Sequence, residues 1–445
     1  MDLSYRNIWK ITYPILVGVF IQQLIGMTDT AFLGRVGEIE LGAAAIGSVF
    51  YITVYMIGFG FAAGAQIIIG QFNGAGEYRK IGPVLYQGLW FLLAAAAAII
   101  LAIRGGGFHL LGLLLHSPDI LKATDIYLQV RIWGFIPVFV VIIFRAFYIG
   151  ITDTRILTAN ALLMLFANVG GDYILIFGKF GFPEMGIRGA ALASVIAESL
   201  SAVFFIIFTL TKTDLAKYAL NKAKINFKIM FGISKVSVWT TLQYFFSLST
   251  WFLFYVVIEH RGETELAISN ILRSAEAIPF MIVPSLGATM NTVTANLVGS
   301  GNSDKVMPAA WKIIKLAYII GLLIELVMAL FPVPTMRIFT NEANLIQQAV
   351  HPYYAMLTTY LTLVPGFIFL SIITGSGQTR TSMLIEWAGM VFYVIGVWLV
   401  VTKWQMSLTW CWLTEHSYNI PLGIITFWYI KNYLWKENRR LQLAA

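Results

Sequence analysis

Asp29, Asn168 and Asp172 are the residues of this sequence best placed to do chemistry, because each interrupts an apolar stretch. On insertion scales an aspartate at the centre of a membrane-spanning helix costs about 2.5–3.5 kcal/mol. Asp29 stands in the run 9–32, on a face with Gln22 and Gly26, seven and three residues before it. Asn168 and Asp172 stand in the run 157–178, four apart and therefore on one helical face. Two carboxylates and a carboxamide offer hard oxygen ligands to a cation such as Na⁺. They equally suit a proton, since leaving water favours the neutral carboxyl. The plainer alternative is that Asp29 caps a break near the outer end of its helix.

Other embedded polar residues are weaker candidates. Asn270, Arg273 and Glu276 lie in the run 266–297, which also holds Asn291, Thr292, Thr294 and Asn296 and so suits a helix lining water. With Gln22, those three are the candidates for a substrate cavity. Arg273 and Glu276, three apart, also suit an internal pair. Glu198, Glu325, Glu386 and Glu415 each sit in an apolar stretch and are expected to hydrogen-bond between helices. Catalytic patterns are missing: no phosphate-cradling Gly-x-x-x-x-Gly-Lys loop, no Gly-x-Ser-x-Gly elbow and no His-Glu-x-x-His. His416 has no His or Cys at ligand spacing, and the single cysteine, Cys411, excludes a disulfide framework. The pattern is not that of an enzyme or an ATP-driven pump, and no cofactor is implied beyond a coupling ion.

The elements that must position these residues are transmembrane helices. Of the 445 residues 58% are hydrophobic and only 12% charged, about half the charge of a soluble domain. Mean hydropathy is +0.77. Twelve apolar segments, at 9–32, 42–70, 84–103, 125–148, 157–178, 189–211, 230–258, 266–297, 309–331, 353–375, 382–402 and 408–430, are each long enough to cross a bilayer. With the N-terminus inside, 16 Lys and Arg fall in cytoplasmic segments and 8 in outer loops, which orients the chain. This bias also explains the net charge of +8 without a nucleic-acid partner. The first apolar run reads as a span and not as a removable leader.

The spans fall into a repeat. At a shift of 225 residues, Gly37-Glu38-x-Glu40-Leu41 falls on Gly262-Glu263-x-Glu265-Leu266, and Gly74-x-Gly76 on Gly299-x-Gly301. Lys80 and Pro83 fall on Lys305 and Pro308, and Gly150, Thr154 and Arg155 on Gly375, Thr379 and Arg380. The expected fold is all-α and integral to the membrane: twelve transmembrane helices in two six-helix lobes related by a pseudo-twofold axis along the membrane normal. The lobes would be 1–211 and 229–430, joined by a cytoplasmic connector at 212–228 and followed by a cytoplasmic tail at 431–445. The candidate acids do not repeat, for Asp29, Asn168 and Asp172 fall on Phe254, Tyr393 and Val397. Any ion-driven chemistry therefore points to the first lobe.

Several motifs resemble those of the multidrug and toxic compound extrusion (MATE) family. They are Asp29-Thr30 followed by Gly34-Arg35-Val36-Gly37-Glu38, the loop Gly70-Gln71-Phe72-Asn73-Gly74-Ala75-Gly76, and the turns Gly150-x-x-x-Thr154-Arg155 and Gly375-x-x-x-Thr379-Arg380. The approach Gly186-Ile187-Arg188-Gly189-Ala190-Ala191 is similar too, so the likeness runs the length of the chain. The resemblance implies a secondary antiporter that exports organic cations and other amphipathic drugs in exchange for Na⁺ or H⁺ by alternating access. Family positions for the coupling cation carry over to Asp29, Asn168, Asp172 and Ser194. Residues 236–255 lack the acid that some branches carry in the seventh span, which favours a DinF-like member coupling through its first lobe. The expected setting is a bacterial plasma membrane, with a monomeric multi-pass chain and both termini cytoplasmic. Two rivals are a lipid-linked precursor flippase of the same superfamily, which would want a strongly cationic cavity, and a membrane-embedded enzyme.

Overall fold

A computed structural model describes residues 2–107, 117–221 and 224–435. Parts of the connector (222–223) and tail (436–445), with Lys222, Lys436, Arg439 and Arg440, lie outside the described residues. Among the described residues there are helices and turns and no strand. In chain order the first six spans are α1 (Tyr5–Leu33), α2 (Glu38–Gly74), α3 (Ile81–Ala102), α4 (Pro118–Gly150), α5 (Arg155–Phe177) and α6 (Gly186–Lys212). The second six are α7 (Phe227–Glu259), α8 (Glu263–Gly299), α9 (Val306–Leu330), α10 (Ala343–Gly375), α11 (Thr379–Val397) and α12 (Leu408–Leu413 with Glu415–Tyr429). Eleven helices are long and apolar enough to cross a membrane. The twelfth expected span is present but broken at Thr414 into helices of 6 and 15 residues. The fold is that of a multi-pass membrane protein.

The repeat is visible in local geometry. Gly76 and Gly301 share a left-handed φ of 75°, a conformation only glycine adopts at no steric cost. Each is followed by one turn of 3₁₀ helix, at Tyr78–Lys80 and at Ser303–Lys305. The long helices that precede these turns, α2 and α8, begin at equivalent glutamates, Glu38 and Glu263.

Packing divides the chain into two units at points the sequence does not mark. Residues up to Thr12 pack with those from Leu242 onward, and Tyr13–Thr241 form the other unit. Both divisions fall inside continuous helices, α1 and α7. In one unit Thr12 and Thr289 share a hydrogen bond between hydroxyls at 3.1 Å. At the equivalent place in the other, Ser237 donates to the Phe61 carbonyl at 2.9 Å and Thr240 to that of Gly60 at 2.7 Å. Gly60 and Gly64 make that approach possible, since a Cβ on Gly64 would lie 2.8 Å from Ser237 Cα.

The most extensively packed pair in the Tyr13–Thr241 unit is α5 with α6. Small residues allow it. A Cβ on Gly189 would lie 2.6 Å from the Leu175 carbonyl, and one on Gly171 would lie 3.1 Å from Ala193 Cβ. The Gly-Ala-Ala step at 189–191 thus has a packing reason: it brings the two helix backbones close along the face that carries Asn168 and Asp172.

Candidate functional site

Asp29 on α1 meets Asn168 and Asp172 on α5. Its carboxyl is a direct neighbour of the Asp172 carboxyl and of the Asn168 amide. Helix α1 runs unbroken to Leu33, so Asp29 sits inside a helix and does not cap a break. Asp172 and Asn168 are 0% and 1% exposed. Asp29 Oδ1, Asn168 Oδ1 and both carboxylate oxygens of Asp172 are buried and receive no hydrogen bond. A buried oxygen without a donor costs on the order of 1–3 kcal/mol. Four in one place, two of them on one aspartate, form an oxygen cage that a cation or protons would satisfy.

The cage is held from behind. Asn168 turns its amide nitrogen to Ser194 Oγ on α6, at 3.3 Å, which aims its oxygen the other way. One turn further along α6, Glu198 takes two bonds from Arg131 of α4, at 2.7 and 2.6 Å, and a third from the Tyr51 hydroxyl of α2 at 3.1 Å. The Arg131 guanidinium also lies 3.6 Å over the Tyr51 ring, which stacks in turn on Phe135. Arg131 is close enough to act on Asp29 electrostatically. Its charge is committed to Glu198, so the acid pair keeps an unanswered negative potential. Gly134 permits this cluster, because any side chain there would collide with Arg131, Glu198 and Tyr51 together.

A family model, MatE, matches residues 14–174 and 240–399, both halves of the repeat and most of the chain. The chain belongs to the MatE family. Among its relatives, the probable multidrug resistance protein NorM of Thermotoga maritima is 25% identical over 416 residues, covering 92% of this chain and 88% of that one. The multidrug resistance protein NorM of Aliivibrio fischeri is 23% identical over 305 residues, covering 68% and 66%. Among solved structures, an outward-facing MATE multidrug resistance transporter of the MOP superfamily superposes with a TM-score of 0.89 at 18% identity, over 98% of this chain and 96% of that one. Members of the family are transporters, and this chain is a transporter and not an enzyme.

The remaining sequence candidates of this MatE protein divide between the units. Asn270, Arg273 and Glu276 belong to the unit from Leu242 onward, on α8. Arg273 stacks over Tyr255 at 4.8 Å, and Glu276 accepts from Thr359 at 3.3 Å. Glu415 accepts from Tyr393 at 3.2 Å, while Glu386 accepts from Gln243 and from Tyr418. With Glu198, three of the four embedded glutamates are therefore tied to other helices; Glu325 has no hydrogen-bond partner among the described residues. The place equivalent to the acid pair is aromatic, with Phe254 edge-on to Trp412 and Tyr393 bound to Glu415.

Gln22 lies with a residue the sequence reading passed over. A cavity of about 50 Å³ within the Tyr13–Thr241 unit is lined by Gly18, Gln22, Tyr55, Arg145, Ala161 and Met164, among others. Arg145 is the only charge in the 16-residue run Phe135–Gly150 of α4, and that isolation was the signal available in the sequence.

Proposed function

We propose that this MatE protein exports amphipathic small molecules, organic cations among them, in exchange for Na⁺ or H⁺ bound between Asp29, Asp172 and Asn168. The observation that carries the reading is the set of four buried oxygens left without donors on α1 and α5. Its support from relatives is the multidrug resistance in the names of the NorM proteins. Ser194 positions Asn168. The coupling ion would favour one facing of the transporter and cargo the other, and opposed preferences suffice to link the two flows without competition for one site. Gln22, Asn270, Arg273 and Glu276 are the proposed cargo contacts, one in the first lobe and three in the second. The proposed setting is a bacterial inner membrane, with both termini cytoplasmic and each monomer complete; coupling through the first lobe agrees with a DinF-like type.

Ethidium efflux from energised cells tests this, with wild type beside Asp29→Asn and Asp172→Asn, in Na⁺ and in its absence. Each variant should fall to the level of empty cells while remaining at wild-type abundance in the membrane. Loss of wild-type efflux on removing Na⁺ would assign the ion. Undiminished efflux in both variants would remove these aspartates from the coupling site.

A further inference from the structure

Arg145 is a cation without an anion. Among the described residues it makes no ion pair and no hydrogen bond, and its nearest electrostatic partner is the neutral hydroxyl of Tyr55. Its Nη2 lies 3.9 Å from the point a Cβ on Gly18 would occupy, midway along the 29-residue α1. The guanidinium thus points at the middle of a spanning helix and not toward a helix end. A charge there costs several kcal/mol and marks a ligand pathway by default. The repeat shows that the architecture does not require it, because the equivalent position is Leu370, buried at 4% exposure. Gln22 and Tyr55, which line the same cavity, fall on Ser247 and Phe280. The arginine, the amide and the hydroxyl are thus all peculiar to the first half.

The cavity has space and chemistry for an oxyanion. Its 50 Å³ exceeds the roughly 10–15 Å³ that one water requires on the same measure. A guanidinium binds a carboxylate or phosphate through two parallel N–H bonds, and the Gln22 amide and Tyr55 hydroxyl stand beside it as further donors. The remaining walls are apolar, with Ile21, Ile25, Val138 and Leu157. We propose that this cavity receives the oxyanion of an amphipathic ligand, a carboxylate or phosphate borne on an apolar body, and that the cargo class therefore extends to zwitterions. The proposal rests on the export reading and adds a ligand site to it. Gln22 and Asp29 are seven residues apart on one face of α1, about 10 Å along the helix. An acidic cargo group at Arg145 would sit two turns from the coupling cation.

Two dyes that differ by one ester test the site: rhodamine 110, a free carboxylic acid, and rhodamine 123, its methyl ester. Their binding to the purified full-length protein is read by fluorescence polarisation. Phosphatidylglycerol retained by the detergent-extracted protein is measured in parallel by native mass spectrometry. Arg145→Gln should weaken rhodamine 110 by about tenfold or more, the usual effect of losing a charged hydrogen-bonding partner. Rhodamine 123 should change less than about twofold on the same scale, and Arg145→Lys should recover most of the loss. If the dyes do not separate but Arg145→Gln sheds phosphatidylglycerol, the oxyanion is a bilayer phosphate and the site stands. If neither the acid-against-ester difference nor lipid retention depends on Arg145, the proposal is overturned. Export remains in place whenever rhodamine 123 still binds; a wild type that binds neither dye takes both readings down.

Discussion

At the scale of single residues the N-terminal unit holds two kinds of buried charge. Arg131 and Glu198 satisfy one another through two bonds, with Tyr51 completing the cluster, whereas Asp29 and Asp172 have only each other and Asn168. The first kind holds the fold and the second waits for a ligand. Removing one member of a buried pair strands the other, at about 3–5 kcal/mol. Glu198→Leu should therefore lower the thermal midpoint of the purified protein strongly, and Arg131→Met with Glu198→Leu should recover much of it. Equal midpoints for the single and double variants would show that the pair is not what holds α4 to α6. The sequence made Asp29, Asn168 and Asp172 legible because polar groups in apolar runs are conspicuous. It did not show that Arg131 answers Glu198, since the two are 67 residues apart and meet only when α4 packs on α6.

At the scale of elements, close helix approach depends on residues with little to distinguish them in the sequence. Gly64 of α2 faces Ser237 of α7, and Gly189 of α6 faces the Leu175 carbonyl of α5. Small residues are what permit backbones to approach in a membrane, where no hydrophobic force drives helices together. Gly64→Leu should overpack the contact and cost about 1–3 kcal/mol, read as a lower yield of folded protein and a lower midpoint. Gly26→Leu is the control, because nothing lies within 4 Å of a Cβ there. Equal losses for both variants would mean that Gly64 matters for helix flexibility and not for space. Of the twelve spans, eleven were recoverable from length and hydropathy. The break in α12 was not, since Thr414 between Leu413 and Glu415 carries no Pro or Gly signal.

At the scale of the whole molecule, the 225-residue repeat anticipated two halves but not where packing divides them. Sequence placed the boundary in the basic connector at 212–228, whereas the packing units change within α1 at Thr12 and within α7 at Thr241. Replacing Thr12 and Thr289 by cysteines, with Cys411→Ser, should give a disulfide that forms readily and leaves efflux intact, because both residues belong to one unit. Efflux lost on oxidation and restored by reductant would show instead that the first turns of α1 separate from α8 during the cycle.

By itself the sequence determined the membrane, the number of spans, the repeat, the family likeness and the cost of its embedded acids. These follow from composition, periodicity and offset, which are properties of a chain read along its length. Tertiary structure alone decided which charges are answered. Glu198 found Arg131, Glu386 found Gln243, and Arg145, unremarked in its apolar run, was left facing a cavity with no partner. The reason is physical: a buried charge is defined by what lies within a few ångströms of it, and in a helical membrane protein those neighbours come from other spans.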